Sequence, residues 1–202
     1  MKEKKENEKE NFDIIIAGVG GQGNILASRI VADAAIEAGY HVTIGETFGM
    51  SQRGGSVASH LRLGRKKMFG PLIPEASADI VIGLEPLESL RYATIFLKPN
   101  GVIVTNSHPV MPPDGNYPAQ DRIYDFAKKI PSKLYLLDAS QIAKDAGDVL
   151  SSNIVMVGAA FGAGVIPVKE EQLKNAIKER LPKAVDLNLK AFDLGKKTVK
   201  QA

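Results

Sequence analysis

Apolar and polar positions along the chain form blocks whose period alternates between that of a strand and that of a helix. "FDIIIAG", residues 12–18, is a continuous apolar run closing on glycine, the pattern of a parallel strand covered on both faces. Residues 24–38 then place Leu26, Ile30, Val31 and Ala34 on one helical side, and Gly39 is the stop signal. "HVTIGE" supplies the next strand and completes a βαβ unit. In "GSVASHLRLG", Val57, Ser59, Leu61 and Leu63 alternate with Ser56, Ala58, His60 and Arg62, which predicts a strand with one solvated face. A polar turn at Gly64–Lys66 and a return through "KMFG" predict a hairpin.

The proline-punctuated connector "PLIPEASA" leads back to regular alternation. "DIVIGLE" is a strand, "PLESLRYATIFL" a helix with Pro86 in its first turn, and "GVIVTN" a strand. A loop "SHPVMPPDGNYPAQ", a helix around "DRIYDFAKK" and the strand "KLYLLD" follow. The last third reads as helices: "SQIAKDA", "SNIVMVGAAFGAG", "KEEQLKNAIKERL" and "VDLNLKAFDLGKK". The predicted fold is α/β, a Rossmann-like open, mostly parallel sheet with a β-hairpin insertion and a helical C-terminal region. It occupies residues 12–202 as one domain behind a charged, disordered tail at 1–11, "MKEKKENEKEN".

Composition narrows the chemistry. Hydrophobic residues make up 44% and charged residues 24% of 202, as in an ordinary globular protein. No apolar run reaches the ~18 residues needed to span a bilayer, and the start lacks the apolar core of a secretory signal, so the expected location is the cytoplasm. The net charge of +3, without a dense basic block, speaks against nucleic-acid binding. There is no cysteine, which removes disulfides, thiol nucleophiles and cysteine-ligated zinc or iron–sulfur clusters. His41, His60 and His108 stand apart without metal-binding spacing, so no metal site is expected.

Between the first strand and first helix stands G-x-G-x-x-G: Gly18, Gly20 and Gly23, with Gly21, Gln22 and Asn24 completing the loop. Glycines there allow a tight turn and close backbone approach, and free N–H groups at the helix start face an anion. Such a loop serves NAD in many dehydrogenases, and Glu46 ends the second strand about where an acid would hold ribose hydroxyls. No histidine–carboxylate pair or Tyr-x-x-x-Lys accompanies it to transfer hydride. A turn that only packs strand against helix is the plainer alternative. A second cluster, Met50, Ser51, Gln52, Arg53, Gly54 and Gly55, sets a guanidinium beside two glycines. Arginine there can clamp phosphate or carboxylate by two parallel hydrogen bonds; otherwise the glycines merely start the hairpin.

Taken together, "AGVGGQGNILASRI", "GMSQRGGSVASHLR", "GPLIPEASADIVIGLEPLESLRY" and "NLKAFDLG" resemble, in order from Phe12 to about Gly195, the gamma subunit or domain of the 2-oxoacid:ferredoxin oxidoreductases. "GMSQRGG" with "PLIPE" and "EPLE" is similar to the indolepyruvate branch more than to the pyruvate or 2-oxoglutarate branches. The resemblance implies an accessory subunit with no catalytic residues of its own, in an anaerobic enzyme that decarboxylates a 2-oxoacid and reduces ferredoxin. Thiamine diphosphate, magnesium and iron–sulfur clusters would sit on a large catalytic partner, and no cofactor would be bound tightly here. The same resemblance makes Gly18, Gly20, Gly21, Gln22, Gly23 and Asn24 one wall of a coenzyme A or interface cleft. Met50 to Gly55 would form the other. A free-standing NAD-binding oxidoreductase and a pure scaffold remain the rivals.

Three further features have plain explanations as good as functional ones. Gly158 and Gly162 permit close helix packing. Glu85 and Glu88 start a helix, where carboxylates suit the dipole, and the loop at 107–120 is either a flap or a connection.

Overall fold

The computed structural model describes residues 11–49, 55–66, 70–112 and 115–199. One six-stranded sheet runs in the order β2-β3-β1-β4-β5-β6. Its strands are β1 (Asn11–Val19), β2 (His41–Phe48), β3 (Ser56–Gly64), β4 (Ala78–Gly83), β5 (Leu97–Asn106) and β6 (Lys133–Leu137). The pairs β1–β4, β4–β5 and β5–β6 are parallel, while β3 lies antiparallel to both β1 and β2. The helices are α1 (Asn24–Glu37), α2 (Pro86–Phe96), α3 (Gln120–Ala127), α4 (Ala139–Ala146), α5 (Ser152–Gly162), α6 (Glu170–Arg180) and α7 (Val185–Thr198), with a 3-10 turn at Val149–Ser151 before α5.

The expected mostly parallel sheet with a hairpin and a helical C-terminal region is the architecture observed. Two details differ from the sequence reading. The βαβ unit β1-α1-β2 keeps its strands parallel, but β3 is inserted between them, so β3 forms its hairpin backwards with β2. The proposed return strand at 67–70 falls mostly outside the described residues, and Gly70 is not in a strand. β3 also has no solvated face: Ala58 and His60 on one side are as buried as Ser59, Leu61 and Leu63 on the other. A strand inside a sheet is covered on both faces, and period alone does not reveal what covers it.

Those two faces carry separate cores. On one, Ile14, Ile16, Leu61, Leu63, Ile80, Ile82 and Val104 pack under α1 and α5, which α4, α6 and α7 extend. On the other, Ile15, Ala17, Ala58, Val81 and Ile103 lie under Ala93 of α2, with Ile73, Tyr92 and Phe96 around them. α5 packs chiefly on α7, and three glycines allow it. A Cβ at Gly158 would stand 2.2 Å from the Phe192 carbonyl oxygen, one at Gly162 2.4 Å from that of Lys196, and one at Gly195 2.1 Å from that of Val155. The small-residue face of α5 is therefore an internal helix contact.

The topology locates a crevice. From β1 the chain passes through α1 on one face; from the adjacent β4 it passes through α2 on the other. Where neighbouring parallel strands send their helices to opposite faces, the carboxyl ends of the strands leave a cleft between them.

Candidate functional site

The glycine loop sits at that switch point. β1 ends at Val19; Gly21 and Gly23 take positive φ angles of 99° and 82°, which glycine adopts without steric cost. Gly23 is the N-cap of α1, which has neither a side-chain cap nor an acidic residue in its first turn. Its orphan N–H groups and dipole therefore favour an anion.

Much of the loop's interior is filled by its own side chains. Gln22 turns back, its Oε1 accepting from the Val19 N–H at 2.9 Å and its Nε2 donating to the Leu84 carbonyl at 3.1 Å. Gly18 is needed for this, because a Cβ there would lie 2.7 Å from Gln22 Oε1. Asn24 donates from Nδ2 to the carbonyls of Ile16 and Val57, at 3.4 and 3.2 Å, and so stitches the helix start to β1 and β3. Asn153, near the start of α5, donates to the Gly23 carbonyl at 3.2 Å and stands where a Cβ at Gly23 would go. Over Gly21 a Cβ would meet nothing within 4 Å. The outward face of the loop is thus Gly20–Gly21 and the first turn of α1.

Gly55, the last residue of the second motif, reaches the same place. The Gly20 N–H donates to the Gly55 carbonyl at 2.9 Å, and the Gly49 N–H to the Ser56 carbonyl at 2.7 Å. Met50, Ser51, Gln52, Arg53 and Gly54 lie outside the described residues. Glu46 faces the α1 side of the sheet, where Ser59 donates to it at 2.7 Å and Ser28 at 3.4 Å. With β3 inserted, β2 stands one strand further from β1 than in a simple βαβ unit, an added ~4.8 Å. Glu46 is therefore part of a helix-to-sheet hydrogen-bond group, away from the loop that a dinucleotide would occupy.

On the other side of the loop lies a group that sequence reasoning weighed but left out of the site. A cavity of about 220 Å³ opens between Val19, Ser56, the start of α2 and the loop after β5. Glu85 is the N-cap of α2, its Oε2 accepting from the Glu88 N–H at 2.9 Å, with Pro86 in the first turn. Glu85 is 1% exposed and also accepts from the Tyr117 hydroxyl. Burial pushes its carboxyl above the ordinary carboxylate range, opposed by the Tyr117 hydroxyl and by backbone N–H groups. Glu88 accepts from Ser56 Oγ at 2.5 Å and from Arg91 at 3.0 Å. Ser56, Arg91 and Tyr117 were not anticipated. "EPLE" signals the helix cap, but no local pattern reveals that a tyrosine 32 positions on would close over it.

A belt of side-chain amides joins these parts. The Leu84 carbonyl accepts from both Gln22 Nε2 and Asn106 Nδ2, and Asn106 Oδ1 accepts from the N–H groups of His108 and Ala139. The carboxyl ends of β1, β4 and β5 and the start of α4 are thereby fixed together. Large apolar side chains also stand exposed at this end of the sheet: Ile25 in the first turn of α1, Phe48 at the end of β2, Met111 after β5, and Leu150 before α5. The arrangement can bind an anion and a protein surface.

Comparison with known proteins shows what the whole chain is similar to. Residues 13–198 match the family described as pyruvate ferredoxin/flavodoxin oxidoreductase. Indolepyruvate oxidoreductase subunit IorB of Archaeoglobus fulgidus is 44% identical over 190 residues, covering 91% of this chain and 93% of that one. The gamma subunit of a keto/oxoacid ferredoxin oxidoreductase from Geobacter sulfurreducens PCA superposes with a TM-score of 0.70 at 28% identity, over 93% of this chain and 98% of that one. The 2-oxoglutarate:ferredoxin oxidoreductase from Magnetococcus marinus, solved with 2-oxoglutarate, coenzyme A and succinyl-CoA bound, gives 0.73 at 25% identity, over 95% of this chain and 31% of that one.

Proposed function

The chain belongs to the pyruvate ferredoxin/flavodoxin oxidoreductase family, and we propose that within it the chain is the small accessory subunit of an indolepyruvate-type enzyme. That enzyme converts an aryl pyruvate, coenzyme A and oxidised ferredoxin into an aryl-acetyl-CoA, carbon dioxide and reduced ferredoxin. The observation that carries this reading is the 44% identity to an indolepyruvate oxidoreductase subunit along nearly the whole of both chains. No catalytic residue is assigned to this subunit.

Thiamine diphosphate, magnesium and iron–sulfur clusters are assigned to a larger partner. Without cysteine this chain has no thiolate for a cluster, and no group of three or more metal-ligating side chains is gathered among the described residues. Decarboxylation and electron transfer belong to those groups, while protein of this kind supplies position and electrostatics. The part proposed for this chain is to hold coenzyme A, or the joint with the partner, at the glycine loop. The open space over Gly21 and the uncapped first turn of α1 suit a phosphate. The exposed Met111 and Leu150 suit a protein surface that excludes water around it. The engagement of Glu46 by Ser28 and Ser59 favours these ligands over NAD. No helix among the described residues is long and apolar enough to cross a membrane; a cytoplasmic location is part of the proposal.

Anaerobic affinity purification of the tagged chain from its native cells tests the proposal. The expected eluate is brown, holds a large cysteine-bearing partner with thiamine diphosphate, and reduces ferredoxin faster with indolepyruvate than with pyruvate. Preference for pyruvate, 2-oxoisovalerate or 2-oxoglutarate would move the chain to another branch. A colourless lone chain that binds NAD tightly, and loses it on Glu46→Ala, would replace the reading altogether.

A further inference from the structure

β2 is an end strand of the sheet, and among the described residues no strand pairs with its outer edge. Its eight residues, HVTIGETF, include no proline and no lysine, and its pairing with β3 runs without a register shift. The opposite end strand, β6, has five residues and begins with a lysine. Long regular edges present unpaired backbone groups to any other strand, and proteins ordinarily blunt them.

Apolar side chains flank this edge. Ile44 and Phe48, on the α1-facing side of β2, are 36% and 64% exposed. Ile25, Arg29, Ala32 and Ile36 follow one another at helical spacing along α1. Ser28 of α1 donates to Glu46 of β2, so this flank of the helix lies beside the strand. Ile25 and Ile36 are 40% and 58% exposed. On the other face Leu72, 55% exposed, reaches over Gly45.

We propose that the β2 edge and this stripe of α1 form the interface between two copies of this chain, related by a two-fold axis through Gly45. Such an axis keeps the α1-facing side chains of both copies on the same face of the joined sheet. It sets Val42 opposite Phe48 of the second copy and Thr43 opposite Thr47, which are aromatic–β-branched and threonine pairs that stabilise antiparallel strands. Ile44 meets Glu46, and no like charges oppose each other. Above the strands α1 lies along α1 of the second copy, with Ile25 against Ile36. An unrelated strand would satisfy the edge alone. A second copy supplies the strand and the complementary helix stripe at once, as isologous contacts require.

Sedimentation equilibrium of the full-length chain, purified without oxygen, is the test. The expected mass is about twice 21.7 kDa. Ile44→Glu, which would set a second carboxylate opposite Glu46 at the joint, is expected to weaken association at least about tenfold. Phe126→Ser, at an exposed position on α3, is expected to leave it unchanged. Because the chain has no cysteine, the double variant Ile25→Cys/Ile36→Cys gives an independent reading. Its two thiols in one chain are separated by eleven helical residues, about 16 Å, and a short bismaleimide should join them only between copies. A monomer at every concentration without cross-linking would overturn the proposal, as would a dimer indifferent to Ile44→Glu. So would a lone monomer in which Ile44→Glu abolishes binding to the large partner, which would assign this edge to that partner instead.

Discussion

His60 shows how an ionisable residue becomes part of a core. Its ring lies edge-on to Phe96 at 5.1 Å and to Tyr92 at 6.5 Å, and its Nδ1 accepts from the Ile73 N–H at 3.3 Å. Burial, then the nearby Arg62 guanidinium, lowers its pKa below the ordinary histidine value. The unfolded chain therefore takes up this proton more readily, and stability should fall as pH drops through about 6.5. Melting temperatures of the wild type and His60→Leu between about pH 7.5 and 5.5 check this. The variant is expected to start lower and to fall less. Glu85 has the opposite sign: its raised pKa means that ionised burial costs stability, and the Tyr117 hydroxyl offsets that cost. Tyr117→Phe is expected to lose ~1.5–3 kcal/mol near pH 8, and less in acid where Glu85 is protonated, as urea unfolding at the two pH values would show. At this scale the glycines were legible, because few residues tolerate a positive φ. His60 was expected on a solvated face of its strand, because what buries it is set by the sheet and by a helix thirty residues on.

Secondary-structure elements were legible wherever their period was local. α1 and α5 to α7 fall within a residue or two of the blocks read from sequence, and Pro86 is in the first turn of α2 as expected. β5 begins earlier than the "GVIVTN" block, since the chain passes from α2 straight into an extended segment broken at Asn100, which has φ 62°. What the pattern could not supply was pairing. β3 joins β1 across some forty residues, and its polar positions are buried by elements distant in sequence. The glycine face of α5 was visible, whereas its partner, the backbone of α7 from Phe192 to Lys196, was not. Gly158→Ala places a methyl group 2.2 Å from the Phe192 carbonyl and must force the helices apart. A loss of about 3 kcal/mol in urea unfolding is expected. Ala159→Ser, at a neighbouring buried position, should cost less.

For the whole molecule, the two ends of the sheet are built differently. Where the strands begin, Asp13 pairs with Arg62 at 3.0 Å and Asp79 with Lys98, closing that end with salt bridges. Where they end, the glycine loop stands among Ile25, Phe48, Met111 and Leu150, and Leu150 is 79% exposed. Leu150→Lys and Met111→Lys are expected to leave the melting temperature within about 1–2 °C, yet to release the chain from its large partner during affinity purification. The small-subunit role was legible only as a resemblance spread over the chain, because a surface made of loop ends has no period to read.

The inserted strand has a consequence for how the chain comes into being. β1 is the first strand to leave the ribosome, but its neighbours in the sheet are β3, which ends at Gly64, and β4, which ends at Gly83. Until β3 has emerged, Ile14, Ile15, Ile16 and Ala17 have no strand on either side, and until β4 has emerged one side stays open. A nascent chain that has not yet exposed β3 therefore carries a bare apolar ribbon, the kind of segment that invites aggregation or a holding chaperone. Residues 41–64 can meanwhile close as a hairpin on their own, which makes them the natural seed onto which the older strand is later recruited.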